Sequence, residues 1–279
     1  MLDEYARARP SPPLRRHVGW YSGYRQAGVA PGTHRGLPSP YLTLIFTIDD
    51  PLVVAGHPDP RQAPGRYDAL IGGLHLGPAL ITHDGHQSGV QVALHPLACR
   101  ALLGLPAGEL ASIDIAAEEV LGRDAVARVG ERLRAARGWA ERFAVVDAEL
   151  RRRLDSDGVH PDVAYAFDRL LDTGGRLSVT ALAAETGWSA RHLTQRFRAE
   201  TGLGLKEAAR VVRFDRARRR LRPGVRLTRL AADAGYFDQA HLAREFQAFA
   251  GCPPSQWLAE EIGFVQATGL AGADHGSHD

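Results

Sequence analysis

Apolar positions follow two different periods along the chain. In the first third, four short runs rich in β-branched and aromatic residues predict strands, at residues 41–48, 52–55, 80–82 and 89–94. Turn-forming residues such as Asp49-Asp50-Pro51 separate these runs, and the polar segment 83–88 is predicted to be a loop. From Pro96 onward apolar residues recur at helical spacing. The N-terminal region is therefore expected to be a cupin-like barrel or a sandwich that two or three helices close.

Strand signals are absent from the second half of the sequence. Apolar residues at helical spacing predict a helix that begins at Pro161, with one stripe made of Val163, Phe167, Leu170 and Leu171. The polar stretch 151–160 precedes this helix and indicates a domain boundary. We expect an α+β chain with an N-terminal domain over residues 1–152, an all-α domain over residues 160–260 and a glycine-rich disordered tail over residues 267–279.

The formal net charge of +2 is distributed unevenly. Residues 1–150 carry 15 basic and 16 acidic side chains, whereas residues 151–258 carry 19 basic and 12 acidic ones, a net charge of +7. Such an excess in one half of a chain is typical of a domain that binds a polyanion. A solvated basic surface would give the same composition, so the sequence motifs have to decide between the two.

One sequence pattern occurs twice in the second half. Residues 182–188, Leu-Ala-Ala-Glu-Thr-Gly-Trp, are repeated as residues 230–236, Leu-Ala-Ala-Asp-Ala-Gly-Tyr, and each copy is followed by a Leu and a Phe four positions apart. Glycine at this position suits a left-handed turn, and the aromatic residue after it fills the corner between two helices. The second copy has one extra residue in its turn. The pattern predicts two helix-turn-helix motifs.

The second helix of each copy has a polar face opposite its Leu and Phe. Arg and Gln lie on that face, and their forked donor and acceptor groups match the edges of guanine and adenine; in the second copy the face also includes Glu245. A long Arg-rich helix over residues 205–221 is predicted to hold the two copies at a fixed separation, so that both enter successive major grooves. Arg218, Arg219 and Arg220 point in different directions around this helix, so they cannot all face DNA.

The second copy and the residues after it resemble the DNA-binding domain of AraC/XylS-type transcription regulators. The resemblance is strongest in residues 234–246, Ala-Gly-Tyr-Phe-Asp-Gln-Ala-His-Leu-Ala-Arg-Glu-Phe, and in residues 251–257, Gly-Cys-Pro-Pro-Ser-Gln-Trp. It extends over about residues 161–257 and implies a two-lobed all-α domain of seven helices that binds double-stranded promoter DNA.

This resemblance also implies a role for individual residues. Six of them are expected to contact bases, namely Arg191, Thr194, Gln195, Gln239, His241 and Arg244. Ser189 and Arg196 are expected to contact phosphates, which positions the protein without reading sequence. Ala240 stands at a position that is often polar in the family, so the contact made there by other members is missing.

The N-terminal domain of such regulators senses a small molecule or mediates dimerisation, and residues 89–110 resemble the sensor half of one subgroup. The resemblance therefore implies a small-molecule effector, a homodimer and, for an activator, RNA polymerase as partners besides promoter DNA. The interior of a β-barrel is the default ligand site. Five residues are candidates for lining this pocket: Thr43, Phe46, His75, His83 and Gln91.

A cupin-like metal-dependent enzyme fused to a DNA-binding module is the alternative function. Six histidines lie between His34 and His95, and three histidines with a carboxylate can hold iron or zinc in such a barrel. No Glu or further His completes a recognisable set around His83 and His86, however, and no activated Cys or Ser motif is present. We therefore expect no catalytic residue, no metal site and no cofactor.

Membrane insertion is not expected. The most apolar stretch, residues 69–81, is interrupted by Gly, His and Pro, so it cannot form a spanning helix. Residues 1–16 are charged and contain no hydrophobic stretch of the kind that a secretion signal needs. The sequence predicts a cytoplasmic protein.

Overall fold

The N-terminal part of the chain forms two antiparallel sheets. The structure is a computed structural model that describes residues 2–155 and 158–267. One sheet has six strands, in the spatial order β1 (Leu2–Ala8), β2 (Val18–Ala27), β9 (His86–Leu94), β4 (Leu42–Thr47), β7 (Ala69–Gly72) and β10 (Asp114–Ala116). The other has four strands, in the order β3 (Gly32–Gly36), β8 (Ala79–His83), β5 (Leu52–Gly56) and β6 (Gly65–Tyr67).

The six-stranded sheet has one face toward the smaller sheet and the other toward helices. Ile45 of β4 packs with Leu52 and Val54 of β5 between the two sheets. Its neighbours Leu44 and Phe46 belong to the main core, the large apolar cluster that the sheet forms with the helices. This division follows from the alternation of side chains along a strand. Four helices cover the second face, namely α1 (Cys99–Leu103), α2 (Glu118–Leu121), α3 (Arg123–Ala135) and α4 (Trp139–Arg153).

The C-terminal part is helical throughout the region that the structure describes. Its helices are α5 (Pro161–Asp172), α6 (Val179–Thr186), α7 (Ala190–Thr201), α8 (Leu205–Arg220), α9 (Leu227–Ala234), α10 (Gln239–Ala250) and α11 (Pro254–Ala267). Helices α5, α6 and α7 form a first lobe, and α9, α10 and α11 form a second. In the first lobe, Phe167 of α5 stacks on Phe197 of α7, with ring centroids 5.9 Å apart. In the second lobe, Phe214 of α8 lies 4.9 Å from Phe246 and 5.0 Å from Phe249, both on α10. The long helix α8 thus joins the lobes and contributes to the core of the second.

Most of the predicted elements are confirmed, and the differences concern short or irregular ones. The four predicted strands correspond to β4, β5, β8 and β9, but the predicted loop 83–88 is wrong in extent because only Asp84 and Gly85 separate β8 from β9. Six further strands were not predicted, and four helices rather than two or three close the N-terminal part. Of the predicted tail, residue 267 ends α11, and residues 268–279 lie outside the described residues.

The two parts of the chain share one hydrophobic core and several polar contacts. Arg100 of α1 donates hydrogen bonds of 2.8 and 3.0 Å to the two carboxylate oxygens of Glu200, near the end of α7. Two guanidinium groups lie over the ring of Trp20, on β2, that of Arg7 at 4.6 Å from the ring centroid and that of Arg219, on α8, at 4.7 Å. The N-terminal part therefore contacts the first lobe and the joining helix directly.

Candidate nucleic-acid interface

Two helix-turn-helix motifs form the site, and the first helix of each ends with the same left-handed glycine. In the first, Gly187 directly follows α6 as its C-cap and has a φ of 71°, and the Trp188 amide donates a hydrogen bond of 3.2 Å to the carbonyl of Ala183. In the second, Gly235 directly follows α9 as its C-cap and has a φ of 85°, and the Tyr236 amide donates a hydrogen bond to a carbonyl of α9 in the same way. Left-handed conformations of this kind strongly favour glycine, which explains why both copies of the sequence repeat contain it.

Each motif buries one face of its second helix and leaves the opposite face in solvent. Leu193 and Phe197 of α7 are fully buried, as are Leu242 and Phe246 of α10. Residues four apart lie on one side of a helix, so these pairs fix the rotation of α7 and α10 about their axes. The polar faces predicted from the sequence therefore point outward.

Three of the candidate residues in α7 are exposed, namely Arg191, Gln195 and Arg196. Thr194 is half-buried, and its hydroxyl donates a hydrogen bond of 2.7 Å to the carbonyl of Ala190. Ser189 is the N-cap of α7, and its hydroxyl oxygen accepts a hydrogen bond from the His192 amide at 3.2 Å. The exposed forked side chains among these candidates are thus Arg191, Gln195 and Arg196. The Thr194 hydroxyl proton and the Ser189 hydroxyl oxygen are already engaged with the backbone.

In α10, Gln239 and Arg244 are exposed and His241 is half-buried. The His241 ring packs edge-on against Tyr236 at 5.1 Å, and its Nδ1 accepts a hydrogen bond of 3.4 Å from the amide of Phe237. Because Nδ1 accepts, the neutral ring carries its proton on Nε2 and can donate from that atom. His241 therefore holds the turn in place and has one donor left.

Glu245 does not belong to the exposed face of α10, contrary to the sequence interpretation. Its carboxylate is buried and accepts a hydrogen bond of 2.6 Å from Nε of Arg210, on α8. Helical spacing places residue 245 at the edge of the polar face. At this position the side chain can turn toward α8, where it pairs with Arg210. The sequence contained no signal for this pairing, since the two residues are 35 positions apart.

Several arginines of α8 bond to other residues of the protein, which agrees with the expectation that not all of them face DNA. Arg213 donates to the carbonyl of Gly175 at 2.7 Å. Arg218 and Arg219 both bond the buried carboxylate of Asp215, at 2.5 and 2.7 Å. The positive charge available to a polyanion is therefore smaller than the sequence count suggests and is carried by the exposed arginines of the motifs.

Comparison with known families agrees with this architecture. A family described as a helix-turn-helix domain matches residues 182–260, which contain both motifs. The C-terminal region is a helix-turn-helix domain. A second family, described only as a domain of unknown function (DUF6597), matches residues 6–115 of the N-terminal part. No curated protein sequence matches the chain.

Solved structures of ToxT from Vibrio cholerae share the fold of most of the chain. ToxT from strain O395 is 11% identical, with a TM-score of 0.51 over 86% of this chain and 96% of its own. Wild-type ToxT from strain SCE256 with a bound unsaturated fatty acid is 9% identical, with a TM-score of 0.52 over 91% of this chain and 97% of its own. The DNA-binding domain of AdpA in complex with a target DNA is 23% identical over 37% of this chain and 95% of its own, with a TM-score of 0.35.

The chain thus combines an N-terminal β-rich domain, with the fold of ToxT over most of its length, and a C-terminal helix-turn-helix domain. No helix in the part of the chain that the structure describes is both long and apolar enough to cross a membrane.

The candidate pocket residues of the N-terminal part lie in separate places. Thr43 and Gln91 come together on neighbouring strands, where the Gln91 amide donates to the Thr43 hydroxyl oxygen at 3.4 Å. Phe46 lies on the other face of the same sheet, in the main core. Residues three apart on a strand point to opposite faces, so Phe46 and Thr43 cannot line one cavity.

The two candidate histidines are each held by the backbone near them. His83 Nδ1 accepts a hydrogen bond of 3.2 Å from the Gly85 amide, and its ring lies 6.3 Å from that of His34. His75 Nδ1 is 2.5 Å from the carbonyl oxygen of Gly77. A groove of about 840 Å³ beside α2 and α3 is lined by Phe46 but by none of the other four candidates. The effector site therefore stays a prediction without a defined cavity.

A buried network of hydrogen bonds connects the two sheets. Its residues were not among the candidates from the sequence. His57, just after β5, has its Nδ1 2.7 Å from a carboxylate oxygen of Asp114, at the start of β10. The Tyr67 hydroxyl lies 3.3 Å from His57 Nε2, and Gln62 exchanges hydrogen bonds of 2.8 and 3.0 Å with the backbone of Asp114. Only the fold brings these residues together, because His57 and Asp114 are 57 positions apart.

Within the described ranges, no three His, Cys, Asp or Glu side chains are grouped as metal ligands.

Acidification is expected to destabilise the N-terminal domain, because burial lowers the pKa of several of its histidines. The pKa of His34 and that of His95 are both lowered to about 4, and nearby His83 and His17 respectively add to the effect of burial. The unfolded chain binds more protons than the folded one between pH 6.5 and about pH 4, so stability is complete above this window and is lost as the pH falls through it. Each such histidine contributes a slope of about 1.4 kcal/mol per pH unit.

Urea denaturation of the full chain at pH 7, 6 and 5 measures this dependence. His95→Asn should make it shallower, since Asn lacks the titrating ring and offers an oxygen to the Leu97 amide that His95 now caps. His86→Asn is the matched control, because His86 is exposed. Equal stability at pH 7 and pH 5 would show that these histidines do not titrate with folding.

Proposed function

We propose that the protein is a transcription regulator of the AraC/XylS type, which reads promoter DNA in a sequence-specific manner by placing α7 and α10 in adjacent major grooves. The observation that carries the proposal is that each helix presents an Arg and a Gln in solvent, Arg191 with Gln195 and Gln239 with Arg244. None of these four side chains has a hydrogen-bond or ion-pair partner among the described residues. Arg suits the O6 and N7 atoms of guanine, and Gln suits the N6 and N7 atoms of adenine.

The joining helix supports a fixed separation between the two readers. Helix α8 has 16 residues, which corresponds to a length of about 24 Å. The Arg210–Glu245 ion pair and the packing of Phe214 on Phe246 attach it to the second lobe. A rigid connection of this kind suits two half-sites on one side of the duplex about one helical turn apart.

We assign the remaining candidate contacts by the atoms that are left free. His241 can donate from Nε2, whereas Thr194 can offer only its oxygen and its methyl group, because its hydroxyl proton is engaged. Arg196 is exposed and free to meet a phosphate, and the Ser189 hydroxyl can donate to one while its oxygen caps α7. Amide groups at the starts of α7 and α10 suit phosphates as well.

Selection of genomic fragments on the purified full-length protein tests the proposal. The expected result is a motif of two short blocks about one helical turn apart, bound with an affinity that falls steeply as salt rises. If no sequence is enriched, and none is enriched when cell extract is added to supply an effector, the assignment of sequence-specific reading is wrong.

Arg196→Ala is expected to weaken binding to all sequences alike. A phosphate contact carries no sequence information, so the preferred motif should stay the same while the slope of log affinity against log salt becomes smaller by about one unit. Titrations at several salt concentrations, on the selected site and on a scrambled duplex, measure both quantities. Arg132→Ala removes an equivalent exposed charge from α3 and should leave the slope unchanged. A changed motif would reassign Arg196 to base reading.

Control through the N-terminal domain is supported by its contacts with the first lobe. The Arg100–Glu200 ion pair and the contact of Arg219 with Trp20 join the β-rich domain to α7 and α8, so a movement of that domain is expected to reach both helices. A small-molecule effector is compatible with this arrangement, as ToxT of similar fold has been solved with a bound unsaturated fatty acid. We further expect a cytoplasmic regulator that acts as a homodimer and, as an activator, contacts RNA polymerase.

A further inference from the structure

The extra residue in the second helix-turn-helix motif is Phe237. In the first motif the turn runs from Gly187 through Trp188 to the N-cap Ser189. In the second it runs from Gly235 through Tyr236 and Phe237 to the N-cap Asp238. Because Trp188 and Tyr236 occupy equivalent corners, the insertion falls between the buried corner residue and the N-cap.

Phe237 is almost completely exposed, although Tyr236 before it is buried. The residue is 93% exposed, whereas the other exposed large apolar residues of the described chain, Leu2, Leu80 and Tyr165, are 37–43% exposed. The turn around it is held in place, since the Phe237 amide donates to His241 Nδ1 and the Asp238 carboxylate accepts a hydrogen bond of 2.6 Å from the His241 amide. A bulky apolar ring is thus presented to solvent by an ordered turn.

The position of Phe237 favours DNA as its partner. It stands two residues before Gln239, the first residue of α10, and the N-terminal residues of a recognition helix are those that reach base edges. The residues around it in the turn and the first turn of α10 are polar or small, so Phe237 does not belong to an apolar patch of the size that a protein partner needs. A single exposed Phe can make apolar contact with a single methyl group. The C5-methyl of thymine is the apolar group that the major groove presents.

We propose that Phe237 is a specificity-determining residue that packs against the C5-methyl group of a thymine in the half-site bound by α10. This inference rests on the proposed function and extends it, because none of the six residues assigned to base contacts reads an apolar group in that half-site. The first motif has no equivalent of Phe237, so the preference for thymine that Phe237 causes should be confined to the α10 half-site.

Replacing thymine with deoxyuracil removes the methyl group alone and provides the test. Each thymine of the selected site is replaced in turn, and the affinities of the wild-type protein, Phe237→Ala and Phe237→Leu are measured at one salt concentration. For the wild type, one replacement in the α10 half-site should weaken binding about fourfold, as expected for one buried methyl group. Phe237→Ala should bind the thymine site about fourfold or more weakly and lose the difference between the two bases, whereas Phe237→Leu should retain part of it.

Thymines in the α7 half-site are the internal control, because their replacement should affect all three proteins equally. Folding is not at risk, since a side chain this exposed contributes little to the core, and circular dichroism verifies it. If the wild type binds a specific site but Phe237→Ala has the same affinity and the same response to every deoxyuracil, the inference is overturned while the proposed function stands. If the wild type selects no sequence at all, the proposed function itself fails.

Discussion

Replacing Asp215 with Ala is expected to lower the free energy of unfolding by about 3–5 kcal/mol. The Asp215 carboxylate is buried and bonds both Arg218 and Arg219, whose side chains are themselves 9% and 10% exposed. Burial alone would raise the pKa of Asp215, and the attraction of Arg219 and Arg218 outweighs it, so the pKa lies below its ordinary value. Removing the carboxylate leaves two positive charges close together with little access to water, which is the costly way to break a buried ion pair.

Urea denaturation of the full chain, followed by circular dichroism and tryptophan fluorescence, measures this loss. Asp215→Asn keeps the shape and an acceptor oxygen but not the charge, so its stability should lie between those of Asp215→Ala and the wild type. Asp233→Ala is the matched control on α9, because Asp233 is half-exposed and lies 3.8 Å from an exposed Arg229. An exposed pair of this kind contributes about 0–1 kcal/mol. Equal losses for Asp215→Ala and Asp233→Ala would contradict a structural role for the buried carboxylate.

The ion pairs of α8 show where charge counting from sequence fails. The net charge of residues 151–258 indicates a polyanion partner, but it could not tell which arginines are free. Arg219 bonds Asp215 four residues earlier and also covers the ring of Trp20 in the N-terminal part. An i, i+4 pairing can be anticipated from sequence, whereas a contact between residues 20 and 219 exists only after both parts have folded.

The helix-turn-helix motifs could be predicted from the sequence because their determinants are local. The glycine that ends the first helix, the aromatic corner after it and the Leu and Phe four apart all act within about 20 residues, and the repeat supplies two independent instances. Buried Glu245 was the exception, since its partner Arg210 comes from another helix. The one-residue insertion was visible in the sequence too, but the exposure of Phe237 required the structure.

The N-terminal domain could be predicted less well because its pairings are not local. Strand β9 was recognised, but β1 and β2 carry charged residues and glycine and pair at the edge of the larger sheet. Short strands such as β6, with three residues, have too few positions for alternation to be detected. Strand alternation alone, however, was enough to separate Thr43 from Phe46, so that part of the candidate pocket could have been excluded before the structure was available.

Replacing Arg191 and Arg244 together with Ala is expected to remove most of the sequence preference. Each arginine is exposed, unpaired among the described residues and located on the outer face of its recognition helix, so each can make one bidentate contact with a guanine, worth about 1–3 kcal/mol of discrimination. The two residues lie in different lobes, so their effects should add to about 2–6 kcal/mol. Affinity for the selected site should therefore fall at least about thirtyfold, whereas affinity for a scrambled duplex should fall only through the loss of two charges.

The matched control removes two positive charges from the N-terminal domain instead, through Arg123→Ala and Arg132→Ala on α3, both of which are exposed. If general charge controls binding, the two double variants should behave alike on the selected site and on the scrambled duplex. If α7 and α10 read bases, only the first variant should lose the ratio between the two affinities, and each single variant should relax the preference at one position in its own half-site. Retention of both the ratio and the preferred sequence in the first variant would exclude Arg191 and Arg244 as base readers.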